Sequence, residues 1–388
     1  MRERGGGGIG PLMQLTRFDI DSFLRDYWQQ KPLLIRDPWE AWRNPFEPDE
    51  LAGLACEAEI ESRLVTGGAG QWTVEHGPFA EARFATRGKT PWTLLVQAVD
   101  HHVPEVAALL GPFRFIPNWR IDDVMVSYAT DGGGVGPHYD QYDVFLIQGA
   151  GQRRWRVGQH CDANSPLLPH EDLRLLAELE VAGEYLLGPG DILYIPPGIA
   201  HDGVAVGDDC MTYSIGFRAP SRSELIADFA DDLVAEMADD DRHGDAGLKT
   251  QANPGEITAE ALDALHAMVL EKLADCKAFA RWFGTYNSTP KYPEIDWSPE
   301  EPVTGQEVHE RIAGGARLTR NPASRFSFIR QEWSVLLFVD GECFECSGDG
   351  AAFAEGLCAD DVSSVGAGDS ELVAQLINQG SVAFEGEE

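Results

Sequence analysis

The sequence predicts a mainly β protein with helices attached: an all-β barrel or sandwich over residues 14–219, a helical region with a linker over 220–300, and a small wing-like α+β domain over 301–388. Three observations carry that reading. Short β-branched and aromatic runs separated by Gly/Pro turns fill the first half, the form taken by barrels and sandwiches. After Phe217-Arg218-Ala219-Pro220 the apolar residues fall at three- and four-residue spacing, the period of a helix. Beyond Pro290, Pro293, Pro299 and Pro302, helix and strand signals alternate.

Along the chain, Gly5 to Gly8 read as an extension and Met13 as an alternative translation start, so the fold is expected to begin at Gln14. FDIDSFLRDYW reads as a short helix, PLLIRD as a strand, and a second helix begins at Asp49 in DELAGLACEAE. QWTVEHGPF, DDVMVSYAT, DVFLIQGAG, RRWRVGQ, EYLLGPGD, ILYIPP and CMTYSIGF read as strands. SELIADFADDLVAEMADDD and TAEALDALHAMVLEKLADCKAFARWF each carry an apolar stripe with no obvious sheet to cover. Such helices pair with each other or with a second subunit, which makes this the expected homodimer region, with purely intramolecular packing as the alternative. In the last domain QEVHERIAGG and SELVAQLINQG read as helices, and RFSFIR, WSVLLFVDG and CFECS as strands.

With 43% hydrophobic residues in 388, the chain has enough apolar side chain to bury a large core and support more than one module. Sixty-four acidic residues against 30 basic give a formal net charge of −34. That field repels a phosphate backbone and steers in a Lys/Arg-rich protein, so direct nucleic-acid binding is not expected and a macromolecular substrate should be basic. Solubility or salt adaptation would account for the same charge without any partner. Seven cysteines, an odd number scattered from Cys56 to Cys358, argue against a secreted disulfide framework and for a reducing cytoplasm. MRERGGGGIGPLMQL lacks the apolar stretch of a signal peptide, and no later segment approaches the ~18 apolar residues of a membrane span, so no membrane partner is expected.

The chemistry concentrates in DGGGVGPHYDQYDVFLIQGAGQRRWRVG. His138 and Asp140 are two positions apart on an expected strand, so both project from one face. An imidazole beside a hard anionic oxygen, joined by an imidazole from another strand, makes a 2-His-1-carboxylate facial triad with open positions, the donor set of non-haem Fe(II). Those positions admit a bidentate 2-oxo acid and then O2, where a structural zinc site would be closed. The second imidazole should follow a tight turn on a distant strand. GPGDILYIPPGIAH supplies it: a turn at Gly190-Asp191, a strand from Ile192 to Ile195, a turn at Pro196-Pro197-Gly198, then His201.

Gly132-x5-His138-x-Asp140 and Gly190-x5-Pro196-x-Gly198-x2-His201 together resemble the two-part signature of the cupin superfamily and its JmjC-type oxygenases. The resemblance implies a double-stranded β-helix, or jelly-roll, with Fe(II), 2-oxoglutarate and O2. Such an enzyme needs a cation for the far carboxylate of 2-oxoglutarate. In QRRWRVG, residues 153, 155 and 157 share a face, so Arg153 points inward with Trp155 and Val157, and Arg154 and Arg156 point outward. A solvated salt bridge is the alternative for any of the three arginines. Ser127, in VMVSYA, is the expected second donor to the co-substrate.

Read together, RIDDVMVSY, GGGVGPHYDQYDVFLIQG, RRWRVG, GDILYIPPG and YSIGFRAP resemble the bacterial ribosomal oxygenases, which are JmjC-type arginine hydroxylases. The match runs from Gln14 to about Phe229, and the later regions are similar in order and texture to that family's dimerisation and winged-helix modules. The resemblance implies hydroxylation of an arginine side chain at C3 on a basic large-subunit ribosomal protein. It makes His138, Asp140 and His201 the iron ligands, and Arg153 and Ser127 the co-substrate contacts. Burying a guanidinium unpaired is expensive. Asp131, at the mouth of the glycine run, is the candidate acceptor, and an exposed turn residue is the alternative reading of it.

Other features are discounted. Gly132 to Gly136 lack the Lys-Ser/Thr of a phosphate loop and are read as permitting a sharp turn beside the metal. Cys343 and Cys346 have ligand spacing but no second pair, and on a strand they face opposite ways. His160 and His170 are read as solvated, and 303–388 has no basic stripe for DNA. Three rival functions stand beside the arginine reading: a JmjC oxygenase acting on a histidine or methyl-lysine of another basic protein, a non-catalytic cupin-like binding module, and a DNA-binding regulator, which the charge disfavours.

Overall fold

The computed structural model describes residues 14–68, 71–85, 91–359 and 370–386; Gly5 to Gly8 and Met13 lie outside the described residues. The chain forms two compact units, Met1–Ala219 and Pro220–Glu388. The first holds α1 (Ile20–Asp26), β1 (Leu33–Ile35), α2 (Pro48–Leu54), β2 (Ser62–Gly68), β3 (Gln71–His76), α3 (Glu81–Ala85), β4 (Trp92–Val96), α4 (Pro104–Ala107), β5 (Ile121–Ala129), β6 (Asp143–His160), β7 (Gly183–Leu187), β8 (Ile192–Ile195) and β9 (Ile199–Phe217). The strands form one sheet in the order β1-β8-β6-β9-β5-β4-β2-β3, with β7 beside β6. It is the sheet-rich jelly-roll type expected, but among the described residues no closed barrel forms, since β1 and β3 each pair with one strand at the ends of that order.

The shape of the sheet comes from β6 and β9, which are 18 and 19 residues long and antiparallel throughout. Strand β6 joins DVFLIQGAG and RRWRVGQ, expected to be separate, and β9 extends CMTYSIGF back to Ile199. The glycines in DVFLIQGAGQRRWRV do not end the strand; it passes them with register shifts at Gln148/Ala150 and Ala150/Gln152. Bulges of this kind bend a strand and raise its twist. Gly151 sits there with φ +61°, and a Cβ on it would lie 2.6 Å from the Asp209 carbonyl oxygen. Before the bulge β6 pairs with β8 and β9 with β5; after it β6 pairs with β7. Strands β2 and β4 were not expected. WTLLV is a short unbroken apolar run, which periodicity alone does not distinguish from buried helix.

VFLI, Val144 to Ile147, is continuously apolar because both of its faces are covered. Phe145 and Ile147 join Phe23, Trp39, Leu51, Phe113, Tyr194 and Phe217 on one side. Val144 and Leu146 join Trp155, Val157, Leu187, Leu193 and Ile195 on the other. Helix α1, capped by the Asp19 side chain accepting from Ser22 N–H, drives Phe23 edge-on against Tyr194 with ring centroids 4.9 Å apart. At the entry to β6 the buried Asp143 accepts from Tyr194 Oη (2.6 Å), Gln29 Nε2 (2.9 Å) and Arg120 Nη2 (3.0 Å). Burial pushes that carboxyl up while the three donors oppose it. This network fixes the chain three residues after Asp140.

The second unit holds α5 (Arg222–Glu236), α6 (Ala259–Leu273), α7 (Cys276–Ser288), α8 (Gly305–Ala313), β10 (Leu318–Arg320), β11 (Phe326–Arg330), β12 (Val335–Val339), β13 (Glu342–Cys346), α9 (Asp349–Cys358), α10 (Ser370–Asn378) and β14 (Val382–Phe384). Strands β11-β12-β13 form a meander, and β10 pairs with β14. On one face of β12, Val335, Leu337 and Val339 pack with Phe353 and Leu357 of α9. On the other, Phe338 presses on Gly284 of α7, where a Cβ would meet its ring at 2.3 Å. The boundary expected at residue 300 therefore falls inside this unit. Helix α9 was not expected, because DGAAFAEGLC carries two glycines and a weak stripe. Cys343 is half-buried and Cys346 buried, and all seven cysteines are free. No helix among the described residues is long and apolar enough to cross a membrane.

Candidate metal centre

Two backbone segments bring the ligands together. His138 lies in the segment between β5 and β6, which is not the regular strand expected. Instead it makes one isolated bridge to His201 at the start of β9: His138 N–H donates to His201 O (3.0 Å) and His201 N–H to His138 O (2.8 Å). Residues that exchange both bonds project their side chains to one face, and the two rings lie 4.3 Å apart. Upstream, Gly132 N–H donates to Ala205 O (3.0 Å) and Ala205 N–H to Gly133 O (2.8 Å). Between these contacts a Cβ on Gly134 would fall 2.6 Å from the Gly203 carbonyl oxygen. The glycine run is thus a close backbone approach beside the metal site, which a side chain at Gly134 would prevent.

Asp140 is held from the other side. Its carbonyl accepts from Gly198 N–H at 2.7 Å. Gly198 has φ +77°, and a Cβ there would lie 2.8 Å from His160 Nε2, so the second motif's glycine is required by its place against the first. The ligand atoms of His138, Asp140 and His201 all lie within 4.8 Å of one another, with His201 Nε2 3.6 Å from Asp140 Oδ2.

Both imidazoles face backbone carbonyls. His138 Nδ1 is 2.9 Å from Gly136 O, and His201 Nδ1 is 3.0 Å from Ile199 O. A carbonyl only accepts, so each Nδ1 carries the proton and each Nε2 keeps its lone pair for a metal. Burial pushes the His201 imidazole down to about 4, with His138 adding to the effect and Asp140 opposing it. It is neutral near neutral pH, the form a metal binds. Tyr142, 44% exposed, stands near the Asp140 carboxylate; partial burial and then the charges of Asp140, Asp123 and Asp122 push its phenol up.

Along β6, Val157 pairs with His201, Trp155 with Gly203 and Arg153 with Ala205, so all six share one face. Arg153 is 3% exposed; its Nε donates to Cys210 Sγ at 3.4 Å, and its Nη2 is buried with no hydrogen-bond partner. An unpaired buried guanidinium nitrogen calls for an anion. A dicarboxylic 2-oxo acid chelating at the triad, with its far carboxylate at Arg153, fits that need. Ser127, buried on β5, pairs with Thr212 of β9, two residues from Arg153's partner Cys210. Its hydroxyl makes a long 3.5 Å bond to Thr212 O, which a carboxylate could outcompete. Arg154 faces Glu184 at 3.4 Å and Arg156 pairs with Asp202, so neither is free for the pocket.

Asp131 is exposed, and its Oδ1 accepts from Gly207 N–H at 2.7 Å, which ties down the β9 turn. His160 is exposed. His170, expected to be solvated, instead accepts at Nδ1 from the Asp172 (3.0 Å) and Leu173 (3.1 Å) N–H groups. Cys210 beside Arg153 and the Gly198 contact with Asp140 were not read from the sequence, and no local signal points to either.

A folded antiparallel sheet that points two imidazoles and a carboxylate at one place, with a buried arginine further along the same face, defines a metal- and 2-oxo-acid-dependent oxygenase. Comparison with known proteins agrees. The JmjC domain family matches residues 108–225, the ROXA-like winged helix 271–383, and the AraC-like ligand binding domain 182–275. The chain is 43% identical over 314 residues to the ribosomal protein uL16 3-hydroxylase of Escherichia coli, covering 79% of this chain and 81% of that one. It is 41% identical over 271 residues to a probable ribosomal oxygenase of Haemophilus influenzae, covering 68% and 66%. The structure of the ribosomal oxygenase YcfD from Escherichia coli with cobalt and 2-oxoglutarate superposes with TM-score 0.85 at 37% identity, covering 96% of this chain and all of that one. This chain belongs to the JmjC-type ribosomal oxygenases.

Proposed function

We propose that the protein hydroxylates an arginine side chain at C3 on a large-subunit ribosomal protein, with Fe(II), 2-oxoglutarate and O2. The observation that carries the chemistry is the unpaired Arg153 Nη2 on the same sheet face as the converging His138, Asp140 and His201. The named activity of the Escherichia coli relative and the net charge of −34 support the substrate class.

When bound, Fe(II) with 2-oxoglutarate and O2 supplies oxidative decarboxylation of the co-substrate to succinate and CO2 and the oxidising power that converts a C–H bond to C–OH. The chain's own part is placement. His138, Asp140 and His201 would hold the ion through three donors, few enough for 2-oxoglutarate and O2 to bind beside them. Arg153, assisted by Ser127, anchors the far carboxylate of 2-oxoglutarate in a water-poor pocket. Asp131 spends one oxygen on Gly207 and offers the other, at an exposed turn, to the substrate guanidinium.

The test is to incubate anaerobically iron-loaded protein with 2-oxoglutarate and candidate ribosomal peptides, then map peptide masses. An arginine-containing fragment heavier by one oxygen atom is expected. Oxidation of a histidine or loss of a methyl-lysine methyl would transfer the site to one of the rival substrates. Absence of succinate release with every basic peptide would leave only a binding module.

The protein is proposed to act as a cytoplasmic homodimer without direct nucleic-acid contact. Helix α6 has no buried residue, yet Leu262, Leu265, Val269 and Leu273 are 55%, 43%, 57% and 39% exposed along one stripe. An apolar stripe of this kind is normally covered. Light scattering after size exclusion should give twice the chain mass, and the pair Leu265→Asp, Val269→Asp should halve it. A parent that elutes at single-chain mass would reject the dimer.

A further inference from the structure

We infer that Trp155 is a further co-substrate-binding residue: its indole N–H donates to a carboxylate oxygen of bound 2-oxoglutarate, and its ring forms the wall along which the acid's methylenes lie. This rests on the 2-oxoglutarate reading above and adds a contact to it.

Trp155 is 5% exposed, and its Nε1 is buried with no hydrogen-bond partner. A buried tryptophan N–H ordinarily finds an acceptor, and an orphan is costly to keep. Arg153 Nη2 is in the same condition two residues away on the same strand face. Two unmatched donors side by side point to one absent acceptor with more than one oxygen, which a carboxylate provides.

Position agrees with chemistry. On β6, Trp155 stands between Arg153 and Val157, the residue that pairs with His201. Its ring centroid is 5.9 Å from that of His201, and the Arg153 guanidinium carbon is 5.7 Å from its own ring. A ligand reaching from the triad to Arg153 must therefore pass the indole. The ring's place depends on Gly203 opposite, where a Cβ would lie 2.6 Å from ring carbon Cζ3. The cluster that seats it, with Val144, Leu146, Leu193 and Ile195, is apolar apart from Tyr185, its pair on β7, and the indole N–H bonds to none of them.

The experiment uses the full chain labelled with 15N at the tryptophan indoles and loaded with Zn(II), which holds the site without redox chemistry. With the Trp155 indole signal assigned by through-bond correlation, adding 2-oxoglutarate should move its proton downfield and slow its exchange with solvent. In parallel, calorimetry on Trp155→Phe, which keeps an aromatic ring but loses the N–H, should show 2-oxoglutarate binding about 10- to 100-fold weaker with Zn(II) affinity unchanged. If the parent binds 2-oxoglutarate while the Trp155 signal stays put, or the variant binds as tightly as the parent, this inference fails and the oxygenase reading survives. If the parent binds no 2-oxoglutarate, both fall. The indole measurement is made on unaltered protein, so it decides the matter even if the variant does not fold.

Discussion

Replacing His201 with alanine should abolish turnover while leaving the protein folded. Enzymatic rate enhancements start at about a million-fold, and on the proposed assignment the whole of it depends on an ion held by three side chains. Losing one ligand should therefore cut succinate release by more than about a thousandfold. The fold should survive because the strand contact at this point is made by backbone atoms: the two hydrogen bonds between His138 and His201 do not involve the rings. His138→Ala and Asp140→Ala should behave alike. Metal content of the purified variants and far-UV circular dichroism separate the two effects. A folded His201→Ala protein that still carries iron and turns over normally would refute the metal assignment.

The second large effect is expected at Arg153. Truncating one partner of a buried charged contact costs about 2–5 kcal/mol, which corresponds to a KM for 2-oxoglutarate raised from roughly thirtyfold to several thousandfold in Arg153→Met. The ligand-free protein should show the opposite trend. There the guanidinium is buried with one nitrogen unsatisfied, so an apolar side chain of similar length should leave Tm unchanged or raise it. Saturating 2-oxoglutarate at about a hundredfold excess should stabilise the parent by about 2.7 kcal/mol and the variant by little. Arg153→Lys should recover part of the binding, as a point charge replaces a two-pronged donor. Equal 2-oxoglutarate affinity in parent and Arg153→Met would place the anchor elsewhere.

Much of the site was legible because its parts are local. Ile192–Ile195 is a strand as read, bounded by a turn at Gly190 and another at Pro196-Pro197-Gly198. Strand alternation by itself puts Arg153, Trp155 and Val157 on one face, and the structure keeps them there. The C-terminal elements α8, α10, β11, β12 and β13 follow their periodicity closely. Less legible were the segments whose form depends on a distant partner. The glycines at 149 and 151 look like strand ends but act as bulges because β9 runs alongside. The glycine run before His138 looks like a turn into a strand, but it remains irregular and is held by Gly203, Ala205 and His201.

By itself, then, the sequence determined which donors this protein has and how they are spaced: two imidazoles and a carboxylate for a metal, an inward arginine for an anion, and an acid excess that favours basic partners. Tertiary structure alone decided that His138 and His201 face each other across a single backbone bridge, that Gly198 holds the Asp140 backbone, and that Arg153 and Trp155 are left with donors unmatched. The physical reason is that side-chain identity and alternation are local properties of a chain, whereas burial and hydrogen-bond satisfaction depend on what another strand, some sixty residues away, brings to the same place.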